Sequence, residues 1–400
     1  MSPSKNRPVR PASGRTPRQP RPVPVSVIVP TRNAADWIVT CLESIRASEP
    51  GEIILVDGHS DDGTVLLAEP LVDQVIRDRG EGPGAARNLG AEAARYAWVA
   101  YIDADIVLPA GALDAMLKEA RQRKLMGLQA GLHSSGTDYW SEQLAWHHNN
   151  GRSRSWFGVS ASVVKKSVAL EHPFDDRLRS GEDIDLRLRL ADAGVPVGVS
   201  EAVVAEHRFA SGLEVARGQW SADGAGLGRL VRKNGRRSLR HLAIPFGAAA
   251  YWMGQSLLRR MPRRLPYFAG FLVGNWRGAI SGLLDQRIAV ARGATSAVWL
   301  GLAGLWAGAI GLAILAIAFL AIIALILPGI PRFLLDAIWL PFVAAGATAG
   351  LIWLEISATM PEGHRWRIQA DRYRTRIYVI VGLTILATVL RLAANLRLLH

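Results

Sequence analysis

The chain predicts an α/β fold: a mostly parallel sheet flanked by helices, followed by interfacial and transmembrane α-helices. Three observations carry this expectation. Short apolar runs alternate with helix-patterned segments over the first 210 residues, as in βαβ units. The acids Asp103 and Asp105 directly follow the apolar run 98–102, at the strand end where open α/β sheets bind ligands. Residues 296–327 carry no charge. At about 1.5 Å per residue they exceed the roughly 30 Å hydrocarbon thickness of a bilayer.

The elements follow in order. Residues 1–24 hold Lys5, Arg7, Arg10, Arg15, Arg18 and Arg21, no acid and many prolines, which predicts a disordered basic tail. They lack the apolar stretch of a secretory signal. Residues 25–29 read as a buried strand ending at Pro30, and 34–47 as a helix. Ile53–Val56 is a second strand, ending at Asp57 and Gly58. A short helix over 64–69, a strand over 73–77 and a helix over 84–95 lead to the strand before Asp103, then to a helix over 110–123. The pattern loosens from 125 to 160, where Trp140, Trp146, Trp156 and Phe157 punctuate polar residues. Residues 182–193 form an amphipathic helix closed by Gly194. Short strands follow at 195–199 and 202–205, and the first domain spans 25–210.

Residues 211–292 are basic and aromatic. Within them, 242–258 and 265–284 are apolar but broken by Pro, Gly, Asn and Arg. They read as helices lying in a membrane interface, with Arg259, Arg260, Arg263 and Arg264 at the headgroups, or else as core helices. Residues 293–400 hold candidate spans at about 296–327, 336–356 and 376–398. The loop with His364, Arg365, Arg367, Arg372, Arg374 and Arg376 is expected on the cytoplasmic side. The larger first domain is then cytoplasmic too, on a bacterial inner membrane. The net charge of +13 suits an anionic membrane or a phosphate-rich substrate. Its basic residues cluster beside apolar segments, which argues against nucleic acid. Cys41 is the only cysteine, so neither an internal disulfide nor a Cys zinc site forms.

Five short segments carry chemistry: 29–33, 56–64, 82–88, 103–105 and 181–185. Asp103 and Asp105 leave their strand on one side, because side-chain direction repeats every second residue. They suit either a hard divalent cation between them or a polar turn. Asp57 ends a strand, where a carboxylate accepts hydrogen bonds from a ribose or base, or caps the next turn. The glycines at 80–84 lack dinucleotide spacing, but they open a helix that carries Arg87 one turn in. Glu182 and Asp183 open a helix, where acids also complement the dipole. Asp185 and Arg189 are spaced as a helix-face ion pair.

In this order the segments resemble the family 2 glycosyltransferases of the GT-A fold, over roughly 25–210. The stretch from Phe157 to Asp175 is similar to the family's acceptor side. The resemblance implies that Asp57 holds the nucleoside, near Pro30, Thr31 and Asn33. Arg87 would touch the same nucleotide. Asp103 and Asp105 would contact a Mg²⁺ or Mn²⁺ ion bridging the donor diphosphate, with His207 as a further contact. Asp183 would be the general base, with Glu182 positioning the acceptor. The implied function is inverting, metal-dependent transfer of a sugar from a nucleotide-sugar to a lipid-linked saccharide. Exopolysaccharide or envelope glycan assembly, alongside other polysaccharide-assembly proteins, is the implied setting. A polyprenyl-phosphate glycosyl synthase, needing no general base, and a non-catalytic membrane scaffold are the alternatives. Gln219-Trp220 is not followed by the Gln-x-x-Arg-Trp pattern of processive members, which argues against a polymerase.

Overall fold

The computed structural model describes residues 22–151, 155–291, 294–308, 311, 368–369 and 371–379. Eight strands form one sheet: β1 (Val23–Thr31), β2 (Pro50–Asp57), β3 (Gln74–Arg77), β4 (Trp98–Ile102), β5 (Ile106–Val107), β6 (Gly127–Ser135), β7 (Ala161–Lys165) and β8 (Val197–Arg208). Their order is β3-β2-β1-β4-β7-β6-β8-β5. The first four are parallel. β7 runs antiparallel between β4 and β6. β6 and β8 are parallel, and β5 is antiparallel to β8. The sheet is therefore mixed, with four of its seven strand pairings parallel.

Both faces of the central strands are covered, which is why these strands read as continuous apolar runs. Val27, Val29, Ile53, Leu55, Ala100 and Ile102 face one layer, packed on α1 (Ile38–Arg46) and, further along the chain, α4 (Ala112–Gln122). Ile28, Ile54, Val56, Val99 and Tyr101 face the other, packed on α3 (Pro83–Ala93) and α7 (Glu182–Asp192). The short helix α2 (Thr64–Ala68) follows the loop after β2.

The loosely patterned stretch from 125 to 160 folds as β6 and the helix α5 (Tyr139–Asn150). β6 mixes Gly, Gln, His and Ser into its pattern, so it lacks a plain alternation. β7 follows, with α6 (Lys166–Glu171) behind it. The two short strands expected at 195–205 are one strand, β8. A register shift against β6, between Gln129 and Gly131, breaks its pattern.

Beyond the sheet lie α8 (Leu213–Asn234), α9 (Leu239–Leu258) and α10 (Leu265–Leu283). α8 and α10 meet through small residues. A Cβ at Gly282 would stand 2.1 Å from the Ala225 carbonyl oxygen, and one at Gly224 would stand 2.2 Å from that of Asn275. The glycine-bearing face of α10 is thus packed against protein. α9 keeps an exposed stripe of Ile244, Tyr251 and Leu258. No helix among the described residues is long and apolar enough to cross a membrane. Residues 295–308 are helical, but most of the expected spans at 296–327, 336–356 and 376–398 lies outside the described residues.

Candidate active site

The parallel half of the sheet brings its strand ends into line. Thr31 pairs with Asp57, and Asp57 pairs with Arg77. Pro30 lies past the last β1–β4 pair, Ile28 with Tyr101, so its missing N–H costs nothing on that side. The loops after β1 and β2 are laced together. The Asn33 N–H donates to Ser60 Oγ at 2.9 Å, and the Asp61 N–H donates to Asn33 Oδ1 at 3.0 Å. Asn33 and His59 adopt left-handed backbone, φ 51° and 62°, which Asn tolerates better than most residues. Asp57 is fully buried, accepts the Ser60 N–H at 3.2 Å, and has Arg77 Nε at 3.9 Å. The Thr31 hydroxyl is buried without a partner.

Arg87 sits one turn into α3 with its guanidinium almost wholly enclosed. Nη2 donates to Asp103 Oδ1 at 2.7 Å and Nη1 to Glu182 Oε1 at 2.9 Å. Burial opposes its charge, but the two carboxylates outweigh burial and raise its pKa. Gly84 makes this approach possible, since a Cβ there would meet Phe174 at 3.1 Å and Glu182 at 3.5 Å.

Asp103 ends β4. Its N–H donates to the Ser160 carbonyl at 2.8 Å, and its own carbonyl accepts the Ile106 N–H at 3.0 Å. From beneath, the thiol of buried Cys41 approaches the same carbonyl at 3.5 Å. The two acids after β4 take different partners. Asp103 turns to Arg87, while Asp105 Oδ2 meets His207 Nε2 at 3.3 Å. Burial works against a charged His207, yet the Asp105 hydrogen bond and charge raise its pKa. Asp105 Oδ1 and His207 Nδ1 are buried without partners. His148, from α5, packs its ring 5.5 Å from that of His207. Among the described residues, no three His, Cys, Asp or Glu side chains are grouped to hold a metal.

α7 begins after Gly181, whose φ of 77° suits glycine. Its first turn carries three acids with three environments. Glu182 is buried on Arg87; burial is the first cause of its raised pKa, with the Arg87 charge opposing and Asp183 adding to it. Asp185 is held by Arg189 and Lys233, each at 2.9 Å. Asp183 is partly exposed and makes no hydrogen bond or ion pair among the described residues. Its neighbour one turn on, Arg187, stacks over Trp156 at 4.3 Å instead.

Sequence reasoning missed Asp223 on α8. Its carboxylate is open to solvent, accepts from Gln219 Nε2 at 2.9 Å and feels the charge of Asp183. The protein packed around it first, and the charge of Asp183 second, push its carboxyl up to about 7. The only sequence signal was Gln219 and Asp223 one turn apart, in a segment that departs from the processive pattern. His148 had no signal, because α5 itself was not expected.

Residues 26–169 match the model of glycosyl transferase family 2. The chain is 38% identical over 102 residues to the succinoglycan biosynthesis protein ExoO of Rhizobium meliloti, covering 24% of this chain and 29% of that protein. It is 26% identical over 335 residues to the pre-mycofactocin glycosyltransferase of Mycobacterium tuberculosis, covering 76% of this chain and 66% of that one. This chain thus spans less than a third of the first relative and just under two thirds of the other. The Staphylococcus aureus TarS 1-349 structure in complex with UDP-GlcNAc aligns at a TM-score of 0.41 and 16% identity. That alignment covers 64% of this chain and 81% of TarS 1-349. The mixed sheet with helices on both faces fits a GT-A-like fold. The match ends at Lys166–Glu171, before α7 and α8, so the acids on those two helices lie outside the matched segment.

Proposed function

We propose that this chain transfers a sugar from a nucleotide-sugar donor to a hydroxyl of a membrane-held acceptor, with inversion at the anomeric carbon. The setting we assign is exopolysaccharide or envelope glycan assembly, in line with the succinoglycan relative. The observation that carries this reading is a convergence at one end of the sheet. There Asp57, the Arg87–Asp103 pair, the Asp105–His207 pair and the unpaired Asp183 come together around the Arg87 bridge.

Each group has work that its surroundings suit. Asp57, with Pro30, Thr31 and Asn33 beside it, receives the nucleoside, and buried Thr31 Oγ1 has hydrogen-bonding capacity to spare. The orphaned Asp105 Oδ1 and His207 Nδ1 fit a divalent cation: a carboxylate with an imidazole suits Mn²⁺ as well as Mg²⁺. Asp105 and His207 would hold that ion, while Asp103 is held by Arg87. The ion's Lewis acidity would neutralise charge on a departing diphosphate. Arg87 orients Asp103 through the Nη2 hydrogen bond to its Oδ1. Asp183 takes the proton of the acceptor hydroxyl as its oxygen attacks the anomeric carbon. The bond from that carbon to the diphosphate breaks, and the nucleoside diphosphate leaves with the electron pair.

The exposed stripe on α9 supports a membrane-held acceptor. Ile244, Tyr251 and Leu258 recur every seven residues, with Leu257 and Met261 beside them and Arg259, Arg260 and Arg263 just beyond. An apolar stripe edged by arginine suits the anionic cytoplasmic face of a bacterial inner membrane. Arg264 stacks over Trp146 at 3.6 Å and so ties this patch to α5, the helix that brings His148 to His207.

The test is turnover of a nucleotide-sugar panel by the detergent-solubilised full chain, with Mg²⁺ or Mn²⁺ and bacterial lipid extract. Asp103→Asn and Asp183→Asn are assayed alongside. Metal-dependent transfer that both variants lose is the expected result. Failure to bind any nucleotide-sugar would leave only a scaffold.

A further inference from the structure

α8 is pressed against the start of α7 at one point. A Cβ on Gly226 would stand 2.9 Å from the Gly181 nitrogen and 2.9 Å from the Ser180 carbonyl carbon, so the two backbones touch. Arg229 Nη1 donates to Ser180 Oγ at 2.9 Å, and Lys233 Nζ reaches Asp175 at 2.7 Å and Asp185 at 2.9 Å. Gly226, Arg229 and Lys233 lie three and four residues apart, on one helix face. Asp223 is three residues before Gly226 on that face, and Gln219 is one turn earlier again. Asp183 is two residues after Gly181. The contact therefore brings the exposed Asp223 of α8 to the same end of α7 as the partly exposed Asp183, close enough to feel its charge.

We propose that Asp223 is the second carboxylate of the acceptor site: it binds a hydroxyl adjacent to the one Asp183 deprotonates, so the acceptor is an uncharged sugar ring and not a phosphate. This rests on the transferase reading above. Gln219 fixes one oxygen of Asp223 at 2.9 Å and leaves the other free to accept. Two carboxylates on the acceptor side, without a salt-bridged cation on either, repel a phosphate nucleophile. A neutral polyol meets no such penalty, and it offers hydroxyl donors to both. Asp223 makes and breaks no covalent bond. The proton moves from the nucleophilic hydroxyl to Asp183, and the neighbouring hydroxyl stays hydrogen-bonded to Asp223.

The experiment uses the full chain in detergent with UDP-, GDP- and dTDP-hexoses as donors. Two acceptor probes are compared: p-nitrophenyl β-glycosides and farnesyl phosphate. Only the glycosides are expected to receive sugar. Asp223→Asn should raise the glycoside KM ten-fold or more at unchanged donor KM, and Asp223→Glu should recover part of the loss. Transfer to farnesyl phosphate, or an unaltered glycoside KM in Asp223→Asn, overturns the inference and leaves the transferase reading standing. No consumption of any donor, by transfer or by hydrolysis, overturns the transferase reading itself. Should Asp223→Asn fail to fold, the glutamate variant decides: it keeps the carboxylate, and a glycoside KM shifted together with the donor KM counts against the proposal.

Discussion

Arg87 joins the strand-end acid Asp103 and the helix-opening acid Glu182 through one guanidinium. Arg87→Met strands Glu182 without its cation in a buried setting. Breaking such a buried pair costs about 3–5 kcal/mol, and urea unfolding should show a loss of that order. Asp223 makes a pH-dependent prediction. Its carboxyl is raised to about 7 in the fold, with Asp183 facing it from α7, Tyr267 interacting from α10, and Gln219 on its own helix. An unfolded Asp titrates near 3.9. Between these values the folded chain holds the extra proton, so stability falls as pH rises from about 4 to about 7 and is level above. Asp223→Asn removes that loss, so its Tm should exceed the parent's at pH 8 and match it at pH 4. The strand-end and helix-opening acids were legible because their places follow from local pattern. Which partner each one takes was not. Arg87 and Glu182 are 95 residues apart in the chain, and only packing makes them neighbours.

Among the elements, the helix pair α8 and α10 is the most demanding contact. Gly282→Ala puts a methyl 2.1 Å from the Ala225 carbonyl oxygen, and neither backbone can yield without separating the helices. Overpacking of this kind costs about 1–3 kcal/mol, measurable as a lowered denaturation midpoint. Gly218, also inside α8, has nothing within 4 Å of its would-be Cβ. Gly218→Ala should therefore stabilise the chain by roughly 0.5–1 kcal/mol through helix propensity alone. The parallel strands and their helices were legible from buried runs and amphipathic spacing. β7 was not, because Ser162 and Lys165 interrupt its short apolar stretch and leave no strand-length run to read. β8 read as two strands because its register shift interrupts the pattern.

At the scale of the whole molecule, the sheet ends at Arg208 and a set of basic, partly apolar helices follows it. In full-length protein on nanodiscs, amide exchange over residues 251–264 should slow on anionic lipid relative to phosphatidylcholine. Arg259→Glu with Arg263→Glu should abolish the difference, while exchange in β1 and β2 stays constant. Equal exchange on both lipids would count against adsorption through α9. Composition made this division legible, since arginine and apolar residues gather after residue 210. It left α10 open between interface and core. Glycine-to-backbone packing on α8 decides for core along that face, and a hydropathy pattern does not register such packing.

Cys41 touches the Asp103 carbonyl from below, fully buried, with burial and nearby acids pushing its thiol well above its ordinary range. As the chain's single cysteine, it is a built-in clock for the floor of the site. A thiol reagent can reach it only when α1 lifts from β4, so the labelling rate counts those openings. A donor that tightens the loop around Asp103 should slow the clock, even with no turnover to watch.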